Sequence, residues 1–140
     1  MALREQKINS EDIKRRLKSL FADPGLRLII LFGSVATNKM HKRSDIDLAF
    51  LFDDFVDTID LTNKVSRLLQ TDSIDVIDAR KASPLLKFSI ARSGILIYER
   101  EKGMFNEFYS LAFRRYIDVR KLRTARESYI RDFLTAKGLS

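Results

Sequence analysis

Hydrophobic and polar residues change period along this chain, and each change marks an element. Leu26 to Phe32 (LRLIILF) reads as a buried strand. From Asp45 to Phe52 the pattern alternates, with Asp45, Asp47, Ala49 and Leu51 on one face and Ile46, Leu48, Phe50 and Phe52 on the other, so a second strand follows. SIDVIDA, from Ser73 to Ala79, and Ile95 to Glu99 predict a third and a fourth. The remaining segments show helical spacing. Ser10 reads as the cap of a helix carrying Ile13, Leu17, Leu20 and Phe21 at i, i+4, i+7 and i+8, closed by Pro24-Gly25. Asp57 to Gln70 repeats the pattern with Leu61, Val65, Leu68 and Leu69. Ser83-Pro84 reads as an N-cap and a first-turn proline, followed by Leu85, Leu86, Phe88 and Ile90, with Gly94 as the stop.

From Met104 to about Ala136 there is neither proline nor glycine. Phe105, Phe108, Ala112, Val119, Leu122, Tyr129 and Phe133 recur at alternating steps near three and four, interrupted by Arg115 and Arg126. This predicts one long helix, or two broken near Arg120. A continuous helix of about 30 residues would span about 45 Å, more than the width of a domain this size. Part of it therefore protrudes or meets a partner.

The chemistry is concentrated between the first two strands. A Gly33-Ser34 pair ends the first, and Asp45-Ile46-Asp47 opens the second. Gly33 allows close backbone approach, Ser34 is placed to open a helix, and free amides at that helix start suit a phosphate tail. Carboxylates one residue apart on a strand share a face, with α-carbons about 6 to 7 Å apart, and can converge on a divalent ion. Asp75 interrupts the β-branched run Ile74, Val76 and Ile77. Burying an acid there costs several kcal/mol unless it is paired or bound to metal, so Asp45, Asp47 and Asp75 point to a common cation.

Each part also has a plainer reading. Gly33-Ser34 alone could end a strand and cap a helix, Asp45 could be a turn residue and Asp47 an exposed edge position. Asp72 and Asp78 show that acids also serve here as solvated ends. The combination at this spacing is what favours metal and phosphate chemistry. Lys39, Lys42 and Arg43 lie in the intervening loop, where a cation could neutralise a triphosphate, although a solvated loop explains them as well. His41, the one histidine, has no partner histidine and is assigned no role.

The combined motif resembles the minimal (MNT-type) nucleotidyltransferases of the DNA polymerase β-like superfamily. It rests on Gly33-Ser34, Asp45-Ile46-Asp47, Asp75 and the ending Gly94-Ile95-Leu96-Ile97-Tyr98, and covers about residues 26 to 100. The resemblance implies an α/β (α+β) polymerase β-like nucleotidyltransferase fold: a small mixed sheet flanked by helices, with a long C-terminal helical segment. Asp45, Asp47 and Asp75 would be the catalytic and metal-binding residues, holding two magnesium (Mg2+) ions, with Asp75 on the nucleophile side. Gly33 and Ser34 would bind the phosphates of ATP. Many members carry Arg-Gly a few residues after Gly-Ser, where this chain has Thr37-Asn38, so triphosphate contacts come from elsewhere.

Length and charge narrow the class. The 140 residues predict a single domain, 1–140, with a core at about 10–100 and an extension at about 104–136. The absence of cysteine excludes disulfides and thiolate metal sites, and no apolar leader or 18-residue apolar span is present, so a cytoplasmic protein without a membrane partner is expected. The net charge of +7 suits an anionic partner such as ATP, RNA or an acidic protein surface. No motif supports direct nucleic-acid binding. A short, basic, stand-alone chain of this family most resembles the antitoxins of HEPN/MNT toxin–antitoxin pairs. That implies AMP transfer from ATP to a tyrosine hydroxyl of a cognate HEPN ribonuclease toxin, in a hetero-oligomer with it. The alternatives are a non-catalytic antitoxin acting by sequestration and a small-molecule nucleotidyltransferase, whose family members generally add a substrate domain.

Overall fold

The computed structural model describes residues 8–33 and 45–138. Helix α1 (Ser10–Arg16) is capped by Asn9 rather than Ser10: the extended Asn9 backbone lets its side-chain oxygen accept the Asp12 N–H at 2.9 Å. The predicted helix also ends earlier than its spacing suggests. A 3₁₀ turn, Lys18–Ala22, takes over, and the Leu20 N–H bonds to the Leu17 carbonyl three residues back at 2.9 Å. The tighter turn still brings Leu20 and Phe21 against the core, where Phe21 stacks on Tyr98 at 4.3 Å between ring centres.

Strands β1 (Leu26–Phe32), β2 (Ile46–Phe52), β3 (Ile74–Asp78) and β4 (Ile95–Glu99) form one sheet in the order β3-β2-β1-β4. β1 runs antiparallel to both β2 and β4, and β2 runs parallel to β3. The sheet is therefore mixed, and β1 is central. Its residues alternate between two cores: Ile29 and Leu31 pack with Ile13 of α1, with Leu17 just past its end, and with Leu61, Val65 and Leu69 of α2 (Thr58–Leu69). Leu28 and Ile30 pack on the opposite face with Ile90 of α3 (Pro84–Ser93) and Phe105 and Phe108 of α4 (Met104–Ala136). Burial on both faces accounts for the apolar run of β1, and burial of unequal faces for the alternation of β2.

Gly94 ends α3 as expected, but for a different reason than a left-handed cap. Its backbone is extended (φ −80°, ψ 158°). A Cβ there would collide with the Ile90 carbonyl oxygen and come within 2.5 Å of Ile30 Cγ2, so a glycine is what lets α3 turn tightly onto β1.

α4 is one unbroken helix, without the break at Arg120 that the sequence left open. Its first amides are met by Glu99, whose Oε1 accepts the Gly103 N–H at 3.0 Å and the Phe105 N–H at 3.2 Å. At about 50 Å it outruns the sheet. Ala112 is its last buried residue, and every residue from Asp118 to Gly138 is exposed. No described helix is long and apolar enough to cross a membrane.

Candidate active site

Three predicted site residues meet at one end of the sheet. Asp47 lies in β2 with Phe32 of β1 opposite it on one side and Asp75 of β3 on the other. The parallel β2–β3 register thus puts the Asp47 and Asp75 α-carbons side by side. Asp45 immediately precedes β2 and shares the phase of Asp47 by the two-residue period. The Ile46 N–H donates to the Ser73 carbonyl at 2.9 Å, which ties the start of β2 to that of β3. Asp47 is half-buried, while Asp45 and Asp75 are exposed. Ala49 and Ile77, two residues beyond Asp47 and Asp75, belong to the core under α3 and α4, so the acids line that side of the sheet.

Gly33 completes the arrangement from β1. Its φ of 78° is left-handed, a conformation glycine adopts without steric cost. A Cβ built on it would overlap the Asp47 carboxylate oxygen and lie 3.1 Å from the carboxyl carbon. Backbone and carboxylate are therefore in contact, a relation the sequence did not signal because Gly33 and Asp47 read there as separate parts of the motif. Ser34, the other phosphate candidate, lies outside the described residues, as do Thr37, Asn38, Lys39, His41, Lys42 and Arg43.

The electrostatics are unbalanced. Burial first, then the neighbouring carboxylates of Asp75 and Asp45, push the Asp47 carboxyl above its ordinary range. Among the described residues no group of three His, Cys, Asp or Glu side chains is arranged to hold a metal ion as it stands. The cluster is instead an open row of three oxygen donors along a strand end. Hard oxygen donors with excess negative charge have the chemistry to hold a divalent cation such as magnesium. One cation passed over in the sequence is Lys87 of α3, in the helical layer on that side of the sheet. Burial, then Arg115, lower its pKa, with Asp78 opposing. The signal for it was a lone lysine in the otherwise apolar turn Leu85 to Phe88.

Residues 11–103, more than half of the chain, match the family model described as polymerase beta, nucleotidyltransferase. The chain belongs to the polymerase β nucleotidyltransferase family. Within this nucleotidyltransferase family it is 25% identical over 135 residues to the protein adenylyltransferase MntA of Aphanizomenon flos-aquae, covering 88% of this chain and 90% of the relative. The fold superimposes on a chain of a toxin–antitoxin crystal structure with AMP-PNP, with a TM-score of 0.68 and 28% identity over 91% of this chain and 99% of the other. It also superimposes on a chain from a complex of tri-AMPylated Shewanella oneidensis HEPN toxin with MNT antitoxin, with a TM-score of 0.64 and 26% identity over 89% and 98% of the two chains. The expected polymerase β-like α+β fold, with its mixed sheet and long C-terminal helix, is the fold observed.

Proposed function

We propose that this nucleotidyltransferase is an antitoxin that transfers AMP from ATP to a tyrosine hydroxyl of a cognate HEPN ribonuclease toxin, and so silences it. The observation that carries this reading is the half-buried Asp47 carboxylate, held against the Gly33 backbone and made less acidic by burial first and then by Asp75 and Asp45. Such a charge is costly alone and useful once a cation joins it. The likeness to an adenylyltransferase and to chains of toxin complexes selects a protein acceptor over a small molecule. On this reading residues of about 10–100 form the catalytic core of a single cytoplasmic domain, and 104–136 the extension.

Asp45 and Asp47 would hold two magnesium ions, with Asp75 joining at the nucleophile side. When bound, these ions supply charge stabilisation at the attacking and leaving oxygens. The chain's own groups do the rest. The turn at Gly33, with the Ser34 hydroxyl, orients the β- and γ-phosphates through N–H and O–H donors. Asp75, exposed at the strand end, accepts the proton of the attacking hydroxyl. The new bond joins the acceptor oxygen to the α-phosphorus as the bond from that phosphorus to the bridging oxygen breaks, and diphosphate leaves.

Incubation with ATP, magnesium and the HEPN protein encoded beside this chain, read by intact mass, tests the proposal. The expected result is a gain in whole-AMP steps that Asp45→Ala/Asp47→Ala abolishes. A stable complex with unchanged mass would favour sequestration.

A further inference from the structure

The distal part of α4 has no function in the transfer site, yet its pattern is not that of a solvated helix. In the proximal turns Phe105, Phe108 and Ala112 pack onto the sheet layer. The same three-then-four spacing runs on without a change of phase through Val119, Leu122, Tyr129 and Phe133, with Arg115 and Arg126 in the two intervening seam positions. Beyond Val119 the described residues show no other element packed on the stripe: Leu122 is 70%, Tyr129 71% and Phe133 50% exposed, with only the Lys137 ammonium of the same helix end over the Phe133 ring at 5.7 Å. A seam that buries itself against the domain and then continues off its edge is half of an interface.

Energetics point the same way. The arm from Asp118 to Ala136 is roughly 19 residues, a length at which an isolated helix is marginal in water. Among the described residues no ion pair staples it. Packing on the seam would add to the stability of the arm.

Charge identifies the occupant. The arm and its end carry Arg120, Lys121, Arg123, Arg126, Arg131 and Lys137 against Asp118, Glu127 and Asp132. A second copy in parallel register would set Arg126 against Arg126 in the seam, and in either orientation would press one basic helix on another. On a partner helix, whose backbone carbonyls are already engaged, the group that meets the Arg126 guanidinium most strongly is a carboxylate, through paired charge-assisted hydrogen bonds. Where α4 leaves the body, Leu85, Tyr116, Val119, Arg120 and Arg123 line a groove in which such a helix can seat.

We infer that the distal half of α4 docks an acidic amphipathic helix of the acceptor protein, with apolar residues in the seam and carboxylates facing Arg115 and Arg126. The inference rests on the protein-acceptor reading above. It extends that reading by separating the surface that holds the acceptor from the carboxylates that act on it.

The test uses the whole chain and the neighbouring HEPN protein. Dissociation constants are measured by calorimetry and amide exchange is followed across 118–136. Leu122→Asp/Phe133→Asp changes exposed positions only, so circular dichroism should match the parent. The expected result is slowed exchange across the arm in the complex and binding weakened at least 100-fold by Leu122→Asp/Phe133→Asp and about tenfold by Arg126→Glu. Asp47→Asn should bind like the parent and transfer nothing. Unchanged affinity in the seam variant, protection elsewhere, no binding of the HEPN protein by the parent, or a dimer of this chain alone that Leu122→Asp dissolves would overturn the docking surface. A protected arm without mass gain would keep the docking surface and sink the transfer reading, whereas mass gain with undiminished binding in the seam variant would do the reverse.

Discussion

The two ends of β2 carry aspartates in opposite electrostatic states. Asp47, near its start, sits among like charges, and burial together with Asp75 and Asp45 raises its pKa. Asp53, just past its end, sits among cations. Arg100 Nη1 donates to it at 2.7 Å and Arg27 Nε lies 3.6 Å away, so its pKa falls, chiefly through the Arg100 hydrogen bond. Arg100 also donates to the Pro24 carbonyl at 2.8 Å, which ties the β1 and β4 ends of the sheet together. The contrast separates a charge that serves the fold from one that the fold tolerates. Among the described residues Asp47 meets two like charges and no cation, the pattern of a site that a positively charged ligand would complete.

The largest effect should come from exchanging the two acids for their amides. Asp47→Asn is expected to lower AMP transfer by at least about 10³-fold, the scale set by removing a group that stabilises developing charge, while raising Tm in metal-free buffer. Asp53→Asn should do the opposite, leaving transfer near the parent rate and lowering Tm. Intact-mass kinetics and calorimetry on the same two samples decide this. A Tm that falls in both would erase the distinction.

Magnesium sharpens the comparison further. If the carboxylate row holds it, addition at 100 times its dissociation constant should stabilise the parent by about 2.7 kcal/mol by mass action, without nucleotide present. Asp53→Asn should respond equally and Asp47→Asn much less. A parent transition indifferent to magnesium would remove the cation from the site.

Next in size is Gly33→Ala. It forces an alanine into a left-handed backbone and drives its Cβ into the Asp47 carboxylate. The expected loss is about 1 to 3 kcal/mol of stability, together with slower transfer because the Asp47 side chain must shift. Combining it with Asp47→Ala, which removes the obstructing carboxylate, should recover part of the stability and none of the activity. Denaturant unfolding of the two variants measures the coupling.

This end of the sheet was largely legible in the sequence because period-two alternation fixes which residues share a face. Asp45 and Asp47 could be placed on one face before any coordinates, with Asp75 expected to join them through a shared cation, and the four strands could be placed too. What could not be read were relations across the chain. The parallel register that sets Asp47 beside Asp75 depends on how β3 enters the sheet. The contact between Gly33 and Asp47 depends on the backbone turn at the end of β1. At the first helix, Asn9 and Ser10 are both good caps, and local propensity does not choose between neighbours. The Asp53–Arg100 pair joins residues 47 positions apart, which no local pattern announces.

The smallest effect, and the one that separates the two acids most cleanly, is the pH dependence of stability. Asp53 has a folded pKa below its unfolded value of about 3.9. Its contribution is therefore present above that value and lost as pH falls through the folded pKa. Asp47 has the reverse sign. Its folded pKa lies above the unfolded one, so its contribution is full below about 3.9 and is lost as pH rises through the folded value. Between those two values the folded protein holds the extra proton, and stability should decline with rising pH on account of Asp47 while Asp53 is already fully ionised. Asp53→Asn should flatten the acid limb of a metal-free stability profile below pH 4, and Asp47→Asn should flatten only the limb above it. The Asp53 change will be the smaller because that pair is solvent-exposed and screened, so it should also shrink as salt is added. An Asp47 limb that survived in Asp47→Asn would mean that another carboxyl carries the strain at this strand end.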